Sequence, residues 1–259
     1  LQRYSEKLLD SYKPDYAALV AMDAKTGRII SMVSYIKPGM KEEGNLALTA
    51  TFPSASVFKV VTAAAAIDKY KFSPNRRIPV NGSYHTLYKK NVYQSENRWT
   101  RFMTLREAFA KSVNSVFAKI GLLSLNPSDL TEYAGRFGFN RPLDSDFALP
   151  MSVAVIPEQS SWEMAEISSG FTLSNRMSPV QGAMIAATIA NDGVMMSPHL
   201  VDAVYDDKGE ILYRSEPQAE TLVIDSDSAR QMRDLMSETV QNGTSRAMFR
   251  TFFRDSDFR

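Results

Sequence analysis

The chain has 259 residues, 44% hydrophobic and 23% charged, and its 30 Lys and Arg against 29 Asp and Glu leave a net charge of +1. Such a composition excludes a disordered chain, allows a large buried core, and supplies no global field to pull the protein onto nucleic acid or an anionic membrane. Cysteine is absent, which excludes disulfides, thiolate metal sites and Cys nucleophiles, and with histidine only at His85 and His199 no His-based metal site is expected. No cofactor is implied.

In chain order, Arg3 to Ser11 reads as a short helix stopped by Pro14. Two apolar runs follow, Ala17 to Met22 and Arg28 to Tyr35, joined by the turn cluster Asp23-Ala24-Lys25-Thr26-Gly27. They form a β-hairpin signal, and because both runs are apolar on both faces a covered sheet is expected. Pro53-Ser54 introduces a helix from about Ala55 to Tyr70. It is apolar nearly all round and should be deeply buried. Its apolar stretch, Val60 to Ile67, falls far short of the ~20 residues of a membrane span. From Lys71 to about Trp99 the text is polar and aromatic, and loops with a short hairpin are expected there.

Thr104-Leu-Arg-Glu107 has capping-box spacing and starts a helical stretch reaching Gly121. Asn126-Pro127 opens another helix that ends at Gly138, and Ser178-Pro179 opens an alanine-rich one that closes at Asn191-Asp192-Gly193. His199 to Tyr205 and Glu210 to Arg214 flank Asp206-Asp207-Lys208-Gly209 as a second hairpin, and Ser226 to Gln241 is a last helix. Strands, then helices, then strands and helix indicate an α+β fold with a helical block inserted into a sheet-bearing frame. A single domain over 1–259 is expected, with an α/β part at 1–70 and 171–259 and a mainly helical part at 71–170.

The sharpest chemical feature is Ser56-Val57-Phe58-Lys59. Residues i and i+3 share a helix face, so the hydroxyl and the amine can meet. Serine needs an adjacent base to act as a nucleophile, and lysine is such a base only where burial or a nearby cation lowers its pKa. This helix supplies burial, and its first turn supplies free N–H groups for developing negative charge. The spacing alone also fits a small residue near an N-cap. A second polar pair, Ser112-Val113-Asn114, sits in the apolar stretch Leu105 to Gly121. Buried there, both side chains need partners, which a facing lysine and serine would supply; the plainer alternative is that they cap a helix break.

Phe52-Pro-Ser-Ala-Ser-Val-Phe-Lys-Val-Val-Thr-Ala-Ala-Ala-Ala-Ile67 resembles the nucleophile region of the transpeptidase domain of penicillin-binding proteins, a family that pairs Ser-x-x-Lys with Ser-x-Asn and a later Lys-Thr-Gly. Val20 to Val33 resembles the family's opening hairpin. Met177-Ser-Pro-Val-Gln181 and Ala190-Asn-Asp-Gly193 resemble the buried helix that follows its helical block. The segment Phe58 to Ala66 reads as the class B, monofunctional type, while Thr104-Leu-Arg-Glu107 keeps the transpeptidase half of a bifunctional enzyme as a rival. One departure stands out. Lys25-Thr26-Gly27 spells the third motif but lies before the nucleophile, and it reads as a turn without a catalytic role. Val240 to Arg246 resembles the stretch shortly before the true motif, which is therefore expected, with the last sheet strands, beyond Arg259. Beginning at Leu1 without an initiator Met, the chain is expected to be part of a longer polypeptide.

The resemblance implies a β-lactamase/transpeptidase-like fold: an antiparallel sheet flanked by helices, with an inserted helical subdomain. It implies a serine acyltransferase, a D,D-transpeptidase that cross-links peptidoglycan stem peptides and is acylated by penicillin and other β-lactams. Ser56 would be the nucleophile, Lys59 its base, Ser112 a proton relay and Asn114 the residue that orients Lys59 and the substrate. Without the third motif, residues 1–259 alone are expected to be weak or inactive. A non-catalytic β-lactam sensor, a degenerate wall-assembly scaffold and a serine β-lactamase are the alternatives. Stem peptides, β-lactams and other cell-wall synthesis proteins are the implied partners, and no nucleic acid is. The implied location is the periplasmic face of the inner membrane, reached through an anchor in the full-length protein.

Overall fold

The computed structural model describes residues 1–41 and 44–249. In chain order the elements are α1 (Gln2–Tyr12), β1 (Tyr16–Met22), β2 (Ile29–Ile36), β3 (Phe52–Pro53), a 3-10 turn (Ala55–Val57), α2 (Phe58–Asp68), β4 (Arg77–Val80), α3 (Lys89–Tyr93), β5 (Arg101–Thr104), α4 (Leu105–Ala110), α5 (Asn114–Leu123), α6 (Pro127–Arg136), α7 (Trp162–Ser169), β6 (Arg176–Met177), α8 (Pro179–Ala190), β7 (Val194–Met196), β8 (Ala203–Tyr205), β9 (Ile211–Arg214), β10 (Ala219–Leu222), α9 (Ser226–Gln241) and α10 (Arg246–Phe249). The chain divides into two compact units.

The first unit comprises Leu1–Pro53, Ala134–Ala154 and Arg176–Val223. Its β1–β2 hairpin is antiparallel from Tyr16 opposite Ile36 to Met22 opposite Ile29. The connecting turn is the expected one: Asp23 Oδ1 accepts from the backbone N–H groups of Lys25 and Thr26 and from the Thr26 hydroxyl, and Gly27 takes φ 81. The expectation of two-sided burial fails for β2, whose residues alternate between buried and exposed, with Ile30 facing solvent. The run is apolar on both faces, but only the face carrying Ile29, Ser31 and Val33 is covered. The Gln2 side-chain amide donates to Met32 O and accepts from Met32 N, which supplies β2 with the hydrogen bonds of a further strand. Helix α8 starts as read from Ser178-Pro179, with the Ser178 hydroxyl accepting from Gln181 N. It packs on β1, and α1 packs on β2.

The second unit comprises Ser54–Tyr133, Val155–Asn175 and the chain from Ile224. Its centre is α2, in which every residue from Phe58 to Ile67 is buried. Alanines on all sides let α5, α7 and α9 pack against it. The region read as loops from Lys71 to Trp99 contains β4 and α3, and β4 pairs with β5 across a long connection.

The stretch from Thr104 to Gly121 is not one helix. The capping box forms as read, with Thr104 Oγ1 accepting from Glu107 N and Glu107 Oε2 accepting from Thr104 N. Helix α4 then stops at Ala110 in a Schellman motif: Ser112 N donates to Phe109 O, Val113 N donates to Ala108 O, and Ser112 takes φ 51. An apolar pattern at helical spacing runs straight through this break because the apolar residues on both sides of it, Ala108, Ala110, Val113 and Val116, are all buried.

Replacement Thr104→Ala removes the side-chain half of the capping box. It should lower the unfolding free energy by about 1 kcal/mol, seen as a lower urea midpoint with an unchanged slope.

Candidate active site

Ser56 stands in the 3-10 turn directly before α2. Ala55 beside it has φ 44, a left-handed conformation that costs a residue with a Cβ roughly 1–2 kcal/mol. The turn is held by Val57 N donating to Ser54 O and Ser54 N donating to Asn175 O. On its other flank Gly170 ends α7 with φ 69, and a Cβ there would lie 1.8 Å from Ala55 O. Only glycine lets the end of α7 come this close to the serine turn.

Lys59 follows one helical turn later and is 2% exposed. Its Nζ lies 2.9 Å from Ser56 Oγ, 2.8 Å from Asn114 Oδ1 and 2.6 Å from Ser169 O. The Phe117 ring centroid is 5.8 Å away. Among the described residues no carboxylate offsets the loss of water, and burial lowers the lysine pKa to about 7. Asn114 is fixed from behind by its own N–H donating to Tyr84 O at 2.7 Å and its Nδ2 donating to His85 O at 2.9 Å. Ser112, swung out by the left-handed end of α4, donates from Oγ to Ser56 Oγ at 3.0 Å.

All four residues singled out from the sequence therefore meet. A neutral amine has two N–H groups and one lone pair. With Asn114 Oδ1 and Ser169 O accepting the two N–H groups, the lone pair is left for the Ser56 hydroxyl. Ser56 can then donate to Lys59 while accepting from Ser112, a continuous path for a proton. The sequence reading missed Ser169, Tyr84 and His85 because all three act through backbone oxygens, which residue identity does not encode. Gly170 carried a readable signal, a glycine closing an apolar helical stretch.

The family of the chain is shown by its relatives. Residues 17–252 match the model of the penicillin binding protein transpeptidase domain, and the chain belongs to that family. It is 29% identical over 256 residues to the peptidoglycan D,D-transpeptidase PbpA of Mycolicibacterium smegmatis, an alignment covering 86% of this chain and 50% of that protein. It is similar to the solved D,D-transpeptidase domain of a peptidoglycan glycosyltransferase from Eggerthella lenta (TM-score 0.78, 25% identity, 93% of this chain and 65% of that one). Penicillin-binding protein A of Mycobacterium tuberculosis, solved as a penicillin G acyl-enzyme, also matches (TM-score 0.70, 26% identity, 90% of this chain and 60% of that one). The chain spans about half the length of the curated relative.

Protonated Lys59 cannot take a proton from Ser56. Acylation of Ser56 by a β-lactam should therefore rise with pH and level off above an apparent pKa of about 7, measured as the second-order labelling rate from pH 5.5 to 9. A Ser112→Gly variant relieves the left-handed strain and should be more stable by about 0.5–1 kcal/mol, while its labelling rate falls at least tenfold. Thermal melts and labelling kinetics on the same sample check both halves.

Proposed function

We propose that this chain is the acylating module of a peptidoglycan D,D-transpeptidase. The observation that carries the reading is a buried lysine, its pKa lowered to about 7, held against both a helix-entry serine and the asparagine of a second motif. Ser56 Oγ attacks the carbonyl between the last two D-alanines of a stem peptide as its proton passes to Lys59. Ser112 carries a proton towards the departing D-alanine, and the acyl group passes from Ser56 to an amine of a neighbouring stem. Asn114 holds Lys59 through Oδ1. One N–H of its amide is engaged by His85 O, and the other remains for the peptide group of the substrate. Positioned acid–base transfers of this kind are typically worth ~10²–10⁴-fold. A β-lactam enters as a mimic of the acyl donor and leaves Ser56 acylated.

The same reading places the protein's work outside the cytoplasm, where its substrate lies, alongside other wall-synthesis proteins. It attaches the full-length protein to the membrane through an anchor; no helix of the described residues is long and apolar enough to cross a membrane. The partition into an α/β part (1–70 and 171–259) and a helical part (71–170) belongs to this reading too. In its support, β4 and β5 are the only strands between residues 71 and 170.

Labelling with a fluorescent penicillin, at saturating probe and long incubation, tests the proposal. Peptide mapping should place the adduct on Ser56, and Ser56→Ala and Lys59→Met should abolish it. An adduct on any other residue removes the proposal. Rapid release of hydrolysed drug marks a β-lactamase instead, and a full-length version that folds but takes no label marks a scaffold.

A further inference from the structure

The connection from Tyr84 to Phe102 begins at the site, since the carbonyls of Tyr84 and His85 hold Asn114. It then runs outward carrying aromatic rings that the core does not use. Trp99 is 74% exposed, Tyr93 57% and Tyr88 56%. Single exposed rings are ordinary, but several gathered on one segment mark an interaction surface. These rings are braced rather than loose. Trp99 N donates to Asn97 Oδ1 at 2.8 Å, and Thr100 Oγ1 donates to Asn81 Oδ1 at 3.0 Å.

Several of the rings have a cation beside them. Arg98 lies 4.8 Å over Trp99, Lys90 5.9 Å over Tyr88 and Arg101 5.2 Å over Tyr84. Tyr93 packs on Trp162 at 6.2 Å, with Lys89 over the same indole. Against these four cations the segment has one acid, Glu96, and none of the four forms an ion pair among the described residues. A near-neutral chain thus concentrates unpaired positive charge and aromatic faces on the segment that holds its asparagine.

We propose that this segment is the docking surface for the glycan strand that carries the reacting stem peptide. The inference rests on the transpeptidase reading. Sugar rings present C–H faces that stack on aromatic rings, and sugar hydroxyls and the carboxylates of the stems accept from the cations, of which Arg101 also donates to Gly82 O. A stem of a few residues spans at most about 3.5 Å per residue, so its glycan must pass within on the order of 15 Å of Ser56. The Tyr84–Phe102 segment starts inside that reach, one asparagine side chain away from Lys59.

Both tryptophans of the chain, Trp99 and Trp162, lie on or against this surface, so intrinsic emission reports its occupancy. The full chain would be titrated with purified glycan strands stripped of stem peptides by an amidase, with dextran and single-stranded DNA of similar length as controls. A saturable emission change with glycan and none with dextran is expected. The pair Trp99→Ala, Tyr93→Ala, read by anisotropy of labelled glycan, should weaken binding at least tenfold. Arg98→Gln with Arg101→Gln should weaken it several-fold and flatten its salt dependence. The penicillin adduct on Ser56 should be unchanged in both. Absence of saturation, unaltered binding by the variants, or DNA binding as tight as glycan binding overturns the inference. A penicillin adduct without glycan binding sinks the inference and leaves the transpeptidase reading intact. Glycan binding by this chain, with no adduct on a full-length version, supports the surface and sinks the catalytic assignment.

Discussion

The site depends on taking one ammonium-bearing side chain out of water without giving it a carboxylate. A buried amine with no counter-ion gives up its proton near neutrality, because the charged form loses hydration that hydrogen bonds to neutral oxygens replace only in part. Had an Asp or Glu faced Lys59, the ion pair would have kept the lysine protonated and useless as a base. The apolar length of α2 and the packing of α5 and α7 against it are the structural expression of that requirement.

The side chains that converge on Lys59 arrive from irregular backbone. Ser56 leaves a 3-10 turn next to a left-handed Ala55, and Ser112 occupies the left-handed end of α4. Asn114 opens α5 immediately after an extended Val113. Backbone strain of this sort persists where neighbouring structure over-determines it. Here the determinants are visible: the Schellman bonds of α4, the bonds from Asn114 to Tyr84 and His85, and the contact of Gly170 with Ala55. The helices provide burial, while the breaks between them aim the functional groups.

That division explains what could be read from the amino-acid sequence. Helix α2, the opening hairpin with its Asp23 turn, the capping box at Thr104 and the Ser178-Pro179 start of α8 were legible, because each is specified by residues close together in the chain. Ser56 and Lys59 were legible for the same reason, being one turn apart. The juncture at Ser112 was not, because its apolar spacing continues through a change of direction and serine sits where a glycine would have announced the stop. The pairing of β4 with β5 was hidden by the length of the intervening connection, and the one-sided burial of β2 by a sequence apolar on both faces. Above all, the third acceptor on Lys59 is a peptide oxygen, and peptide oxygens look alike in every sequence.

That last point bears on how the site can drift. Two of the three contacts on Lys59 end on side chains and vanish with a single codon change. The Ser169 contact belongs to the main chain and survives exchange of residue 169 for another small residue that fits its buried place in the helix. The selective burden shifts to its neighbour, because the oxygen stays within reach only while position 170 carries no side chain. Small residues can therefore trade places at the position that makes the bond, while the one beside it must stay bare.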